Sequence, residues 1–574
     1  MSEKNKIKLG PLLGMEGDYF YTVTFLSDVD LQTEDIILNL TTHHPEDTKF
    51  IQCGFKETLN NSFIYKFGFE VKKRKENYIV NYSISNKEIV FTTEHRNSWK
   101  FEVPGEKVIP KIGIASCNGA GNRWPDPKNC NQFSMWTRLR NKFVLDGDDH
   151  EIKPFHCLLL TGDQIYADLL WKEIDYFKKH HLIGWRSFLG SSRKFKSHKI
   201  ANEDKQGLEA QLYDFYEKVY ILSWGQIDIA TTLASVPSIM MWDDHDIFDG
   251  WGSHSEKLQN SEIFQLIFKV AKDFFEKLQI RGNNNKTRIY SKKNTESNHY
   301  STRLSFRNFE ILALDNRSQR TREQIMSEEQ YEELNALCGD PTFFSNATKE
   351  LLNTQQTILF VIPVPVAHLN YSSRAESFLS YISKVNFQHN LSLGDDALDH
   401  WGHKSHDKEQ KYLIDLIYKF GEVFNPKYIH IISGDVHSAG VGRIKKLKSE
   451  AVGKKDINGK DYLRVNQLVS SAIVHDPAPK FVQIGIDRIT KQTQDVEGYD
   501  IWLDDYGKQD MPKTIYDRNF AYLEKRENQG LKFYLELENF TSSTGKEHDR
   551  IKTADYNFEQ PPQFENSTAK DEQK

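Results

Sequence analysis

Six short apolar runs, each closing on a polar or charged segment, set the form of the middle of this chain: Lys111–Ser116, Cys157–Thr161, Ser238–Trp242, Phe309–Leu314, Ile358–Val364 and Tyr428–Ser433. Runs this short and continuous read as strands buried on both faces. Between them lie segments with apolar residues at helical spacing: Leu212, Phe215, Tyr216 and Val219; Ile263, Phe264, Ile267, Val270 and Phe274; Leu413, Leu416, Ile417 and Phe420. A further helix, 327–338, opens on a capping box of Ser327 and Gln330. Strands alternating with helices make an α/β layered domain over roughly residues 106 to 480.

The flanks follow a different grammar. From Tyr19 to Val103, short alternating segments separated by Asn, Asp, Gly and Lys-rich turns predict a small antiparallel β-sandwich. Pro104-Gly105 is the expected linker. Beyond 480, Arg518–Lys525 and Gly530–Glu538 predict a hairpin that completes a sheet of the main domain, and after about Thr541 the chain turns polar, which predicts a disordered tail. The expected division is therefore 1–105, a β-sandwich; 106–540, the α/β domain with its C-terminal hairpin; and 541–574, the tail.

A chain of 574 residues can bury a large core, and 75 basic against 81 acidic residues leaves a net charge of -6, which offers nucleic acid no basic surface. No apolar run reaches the ~18 residues that cross a bilayer. The start, Met1-Ser-Glu-Lys-Asn-Lys, carries neither an apolar export core nor a twin arginine, so the expectation is a cytoplasmic protein. Oligomeric state has no sequence signal. The five cysteines (Cys53, Cys117, Cys130, Cys157, Cys338) are scattered and lack any Cys-x-x-Cys pair, so a structural zinc site is not expected.

The ends of the apolar runs carry the chemistry. They read Ser116-Cys117-Asn118, Gly162-Asp163-Gln-Ile-Tyr166, Asp243-Asp244-His245-Asp246 and Gly434-Asp435-Val-His437. In α/β domains the strand C-termini form the site, so these ligand-type residues are expected to meet. Thiolate, phenolate, carboxylate and imidazole suit a trivalent ion such as Fe3+, and the further carboxylates suit Ca2+, Mg2+ or Mn2+. If Asp163 bridges two ions at roughly 3.5–4 Å, the pair can activate water for displacement at phosphorus. His245, beside the leaving-group oxygen, is expected to donate a proton or stabilise charge. Arg317 and Arg320, after another strand end, offer planar forks for phosphate oxygens, with a structural ion-pair network as the other reading. The Asn118 amide, and Asp399 and Trp401 in the 386–402 loop, are candidate substrate contacts.

Taken in order, Ser116-Cys117-Asn118, Gly162-Asp163-Gln-Ile-Tyr166, Asp243-Asp244-His245-Asp246, Leu314-Asp-Asn-Arg317-Ser-Gln-Arg320, Asp399-His-Trp401 and Gly434-Asp435-Val-His437-Ser438 resemble the PhoD-like (alkaline phosphatase D) branch of the calcineurin-like metallophosphoesterases. The resemblance covers roughly residues 110 to 480 and implies a layered β-sheet sandwich flanked by helices, preceded by a β-domain. It implies that Cys117, Asp163, Tyr166 and His437 hold Fe3+, that Asp163 is shared, and that Asp244 and Asp435 hold Ca2+, with Mg2+, Mn2+ or Zn2+ as substitutes. His245 stands at the catalytic histidine, and His368 is a positional candidate for one further metal-binding histidine. The implied activity is hydrolysis of phosphate monoesters or diesters; the alternatives are a phospholipase-D-like diesterase on lipid or polymer, and a non-catalytic scaffold that keeps the fold.

Overall fold

In the computed structural model the six apolar runs form the strands Ile112–Ala115, Cys157–Thr161, Ser238–Met241, Phe309–Ala313, Thr357–Val361 and Tyr428–Ser433. The structure describes residues 7–86, 96–121, 123–126, 131–146, 152–182, 197–282, 298–340, 343, 356–367, 370–371, 399–446, 465–477, 483, 490–491, 493–504, 514–526, 530–541 and 550–557. The first three strands lie parallel with Cys157–Thr161 in the middle. The last three are also parallel, and Val465–Val469 continues the series. Each set is the centre of a larger sheet, one of ten strands and one of nine.

Parallel strands need cover on both faces, and alternation along each strand supplies it. Ile311, Ala313, Leu359, Val361 and Ile432 turn toward the core that also holds Ile114 and Leu158 of the other sheet. Leu312, Leu314, Ile358, Phe360 and Ile431 turn the opposite way, against Leu334 of helix Glu328–Cys338 and Leu413, Leu416 and Phe420 of helix Asp407–Phe424. A slip of one residue would exchange the two cores, and each aliphatic side chain contributes about 1.5–3 kcal/mol on burial, so register is strongly specified. The layered sandwich flanked by helices is therefore as expected. The Ser327 capping box is present as well: its hydroxyl accepts from Gln330 N at 3.3 Å, and Gln330 Oε1 accepts from Ser327 N at 3.0 Å.

Two expectations change at the flanks. The N-terminal strands Ile7–Met15, Phe20–Ser27, Ser62–Glu70 and Phe55–Leu59 extend the ten-stranded sheet itself, with Ile7–Met15 parallel to Ser238–Met241. A four-stranded sheet, ordered Lys49–Gln52, Ile37–Thr41, Tyr78–Ser85 and Ser98–Val103, shares their core. The sandwich exists, yet one of its two sheets runs on into the central strands, so residue 105 is no break in the sheet. Gly10-Pro11 masked the first strand in the sequence, because proline removes a ladder donor. Pro104 and Gly105 are pinned by the buried Arg307 guanidinium, which donates to both carbonyls.

At the other end the hairpin Asn519–Arg526 with Gly530–Thr541 completes the ten-stranded sheet by pairing with Ile112–Ala115. The sequence expectation of disorder after Thr541 is corrected: Arg550–Asn557 adds the edge strand, pairing its backbone with Gly530–Thr541. A polar composition is tolerated there because an edge strand gains its stability from ladder hydrogen bonds. Among the described residues no helix is long and apolar enough to cross a membrane.

Candidate metal centre

Because both sheets present strand C-termini to the same crevice, the segments that follow those strands converge. Cys117 follows Ile112–Ala115, Asp163 follows Cys157–Thr161, Asp243 to Asp246 follow Ser238–Met241, and Asp435 and His437 follow Tyr428–Ser433. The backbone has to turn sharply to aim these side chains back across the strand ends. Cys117 (φ 55°), Asp163 (φ 55°), Asp435 (φ 64°) and His437 (φ 47°) all sit in the left-handed region. Each such residue costs of order 1–3 kcal/mol, and four at one place mark a functional site. Gly119 is required for a related reason: a Cβ there would stand 2.0 Å from the Tyr166 ring.

The donor atoms meet in three overlapping groups among the described residues. Cys117 Sγ lies 3.3 Å from Asp163 Oδ2, and the Tyr166 hydroxyl lies 3.4 Å from that same oxygen and 2.9 Å from His437 Nε2. Cys117, Asp163 and His437 hold one donor atom each within 4.8 Å of one another; so do Asp163, Asp244 and His245, and so do Asp243, Asp244 and Asp435. Asp163 belongs to two of these groups. The rings of Tyr166 and His245 stack at 4.1 Å, and those of His437 and His475 at 3.8 Å.

The electrostatics describe a place that asks for cations. Burial, then Asp163, pushes the Cys117 thiol well up; burial, then Cys117 and Asp163, does the same to the Tyr166 phenol. Burial raises Asp163 well above the carboxylate range, with His245 opposing and Asp243 and Asp244 adding to the rise. Asp435 is raised by burial and then by Asp243, Asp399 and Asp244. His437 is held well below the ordinary imidazole value by burial, then by His475 and His245, so it is neutral. Among the described residues, the buried oxygens Asp163 Oδ1, Asp243 Oδ2 and Asp244 Oδ1 accept no hydrogen bond. Buried carboxylates left so are costly, and a multivalent cation satisfies them. The residues present therefore fit a pair of metal ions, one held by sulfur, phenol, carboxylate and imidazole, the other by carboxylates.

Several expected site residues are placed elsewhere. Arg317 is fully buried; its guanidinium pairs with Asp243 and with both oxygens of Asp399, at 2.8 and 2.6 Å, and donates to Trp251 O. The structure thus places this fork in an ion-pair network with Asp243 and Asp399. Arg320 reaches the carbonyl of Asp399 and lies 3.2 Å from its carboxylate. Asp399 is held well below the usual carboxylate range; burial opposes this and is outweighed by Arg317 and Arg320. Trp401 is core, packed in the cluster with Leu413 and Ile417. Asn118 spends its amide on Gln164 O (3.3 Å) and accepts from Trp136 Nε1 (2.8 Å). Arg317→Ala is expected to cost about 3–5 kcal/mol of stability, because it strands Asp243 and Asp399 without a counter-charge. A urea titration that showed no loss would remove Arg317 from this role.

Sequence reasoning also missed residues. Asp168 Oδ2 lies 2.6 Å from His245 Nδ1, and Asp168 Oδ1 accepts from Asp249 N at 2.8 Å. Burial would lower the His245 pKa; Asp168, Asp244 and Asp163 outweigh it and raise it well above the ordinary imidazole value. Asp246 accepts from the backbone of Gln164 and Ile165 and anchors the loop that carries Asp163. Ser471 Oγ lies 3.0 Å from Cys117 Sγ, and His475 caps His437; both follow Val465–Val469, whose Val-Asn-Gln-Leu-Val run could have been read as one more strand. His368 and most of the 386–402 loop lie outside the described residues.

Comparison with known proteins adds to the geometry. A family model described as PhoD related phosphatase matches residues 133–385. An uncharacterized protein of Saccharomyces cerevisiae (strain ATCC 204508 / S288c) is 25% identical over 486 residues, covering 74% of this chain and 64% of its own length. The match thus spans a little under two thirds of that relative. A structure of PhoD aligns over 94% of this chain and 87% of that chain at 12% identity, with a TM-score of 0.51, which is a likeness of fold. Purple acid phosphatase PPD1 from yellow lupin (Lupinus luteus) seeds aligns over 95% of this chain and 74% of that chain at 10% identity, with a TM-score of 0.45.

Proposed function

We propose that this chain, a PhoD-like metallophosphatase by its family match and fold, hydrolyses phosphate esters with the help of two metal ions. The observation that carries the reading is the meeting of Cys117, Asp163, Tyr166 and His437 on a left-handed backbone, with Asp244 and Asp435 beside them. In this proposal Cys117, Asp163, Tyr166 and His437 hold Fe3+, and Asp163, Asp244 and Asp435 hold Ca2+ or another hard divalent ion. When bound, such a pair supplies Lewis acidity at a phosphoryl oxygen and lowers the pKa of a water. The net reaction adds water across the P–O bond and releases an alcohol and phosphate, or a phosphate monoester when the substrate is a diester.

The chain's own residues supply the rest. His245, held at Nδ1 by Asp168, is oriented to give a proton to the departing alkoxide. Arg317 holds Asp243 and Asp399 in place and so keeps the second carboxylate group compact. Metal analysis of the purified protein, paired with monoester and diester assays before and after chelation, tests the reading. The expected result is iron plus a second ion, with hydrolysis that chelation abolishes and metal restores. Tyr166→Phe should remove the tyrosinate-to-iron colour. Metal-free protein with unchanged hydrolysis would sink the proposal.

A further inference from the structure

Beside the centre the surface folds into a cleft of about 230 Å³, whose lining includes Arg123, Trp124, Asp126, Asn131, Val474 and Asp476. Both of its walls start at the centre. One follows Cys117: a Cβ on Gly119 would touch the Tyr166 ring, and one on Gly121 would stand 3.3 Å from His475 Nε2. The other follows Val465–Val469: Val474 N donates to Cys117 O at 3.3 Å, and His475, set between two lining residues, stacks on His437. An ester whose phosphorus lies at the metal ligands therefore has this cleft within reach of its organic part.

The lining selects what that part can be. Drug-sized pockets run to about 300–1,000 Å³, so a cleft of this volume takes a single small moiety, not acyl chains or a polymer segment. Guanidinium, carboxylate and carboxamide groups stand together, so an apolar group bound among them would gain no hydrogen bond. A second phosphate would face Asp126 and Asp476 with Arg123 as its one available guanidinium among the described lining residues, since Arg518 donates to both oxygens of Glu538 and to Gln132 O. An aromatic base would share the Trp124 ring with the Lys218 ammonium at 4.1 Å and the Phe215 ring at 5.7 Å. Hydroxyl groups fit: each donates to a carboxylate and accepts from a guanidinium or amide. The Arg123–Asp476 pair spans 3.7 Å with both side chains mostly exposed, and exposed pairs are worth about 0–1 kcal/mol, so hydroxyls can exchange into it at little cost.

We infer that this cleft receives the hydroxylated organic part of the substrate, so that the ester is the phosphate of a polyol or monosaccharide; the inference rests on the phosphoesterase reading. The test uses the full metal-loaded chain with glycerol phosphate, a hexose phosphate, an inositol phosphate, adenosine monophosphate and p-nitrophenyl phosphate. At least one polyol ester should show a KM about tenfold below that of the nucleotide, the worth of one hydrogen bond to a charged group. Asp476→Asn and Arg123→Ala, both at exposed positions, should each raise the ratio of polyol to p-nitrophenyl phosphate KM about tenfold, with kcat for the polyol ester within about twofold. A ratio unchanged in both variants, or a preference for the nucleotide, overturns the assignment while hydrolysis of p-nitrophenyl phosphate keeps the phosphoesterase reading. If the loaded protein cleaves none of the esters, that reading falls first.

Discussion

Asp163→Asn is expected to abolish both metal sites together and to lower kcat about a thousandfold or more, since loss of a single outer partner of a metal ligand already costs 10–100-fold. Asp163 alone belongs both to the group with Cys117 and His437 and to the group with Asp244 and His245. Its removal therefore leaves neither ion a full donor set, whereas Cys117→Ser should chiefly affect the first. The same substitution should act in the opposite direction on the metal-free protein. There burial disfavours the charged form of Asp163, with His245 opposing and Asp243 and Asp244 adding to the cost, and a neutral amide of the same shape removes that cost. Chelated Asp163→Asn should thus melt above chelated wild type, while metal raises the melting temperature of wild type only. Elemental analysis and calorimetry with and without chelator check both halves. Retention of two ions by Asp163→Asn would refute the bridging role.

His245→Gln has the second largest expected effect, a loss of about 10²–10⁴ in kcat on alkyl phosphates, the usual contribution of a positioned acid. On p-nitrophenyl phosphate the loss should be far smaller, because nitrophenolate departs without a proton. Asp168→Asn should follow the same leaving-group pattern at a loss of about 10–100-fold, since it takes away the carboxylate that faces Nδ1 at 2.6 Å. Metal content should stay at the wild-type level in both variants. His245 also lies within 4.8 Å of donor atoms of Asp163 and Asp244. Loss of an ion from His245→Gln would therefore make this histidine a ligand and would remove the proton-donor role.

The difference between Asp163 and Arg317 explains how far sequence could be read. Asp163 ends a five-residue apolar strand; covalent connection alone takes it to the strand end, and the parallel sheet takes that end to the crevice. Cys117, Asp244, Asp435 and His437 were legible on the same ground. Arg317 also follows a strand, but its partners Asp243 and Asp399 are 74 and 82 residues away, and either a phosphate or a carboxylate satisfies its fork equally well. Asp168 is likewise 77 residues from the imidazole it holds, so its spacing from Asp163 carried no message. The inward turn of Asn118 and Trp401 was hidden for a similar reason, since an amide or indole after a strand end turns inward or outward according to what packs above it.

By itself the sequence determined the α/β layering, the capped helix at Ser327 and the set of donor types at the strand ends, because apolar periodicity and covalent order act locally and need no partner. The tertiary structure alone decided that the N-terminal strands continue the central sheet, that the Arg317 charge is spent inside the protein, and that Asp168 and His475 join the centre. Each of those outcomes depends on which of several chemically equivalent partners is brought within about 3 Å, a choice made by packing of remote segments and not by local propensity.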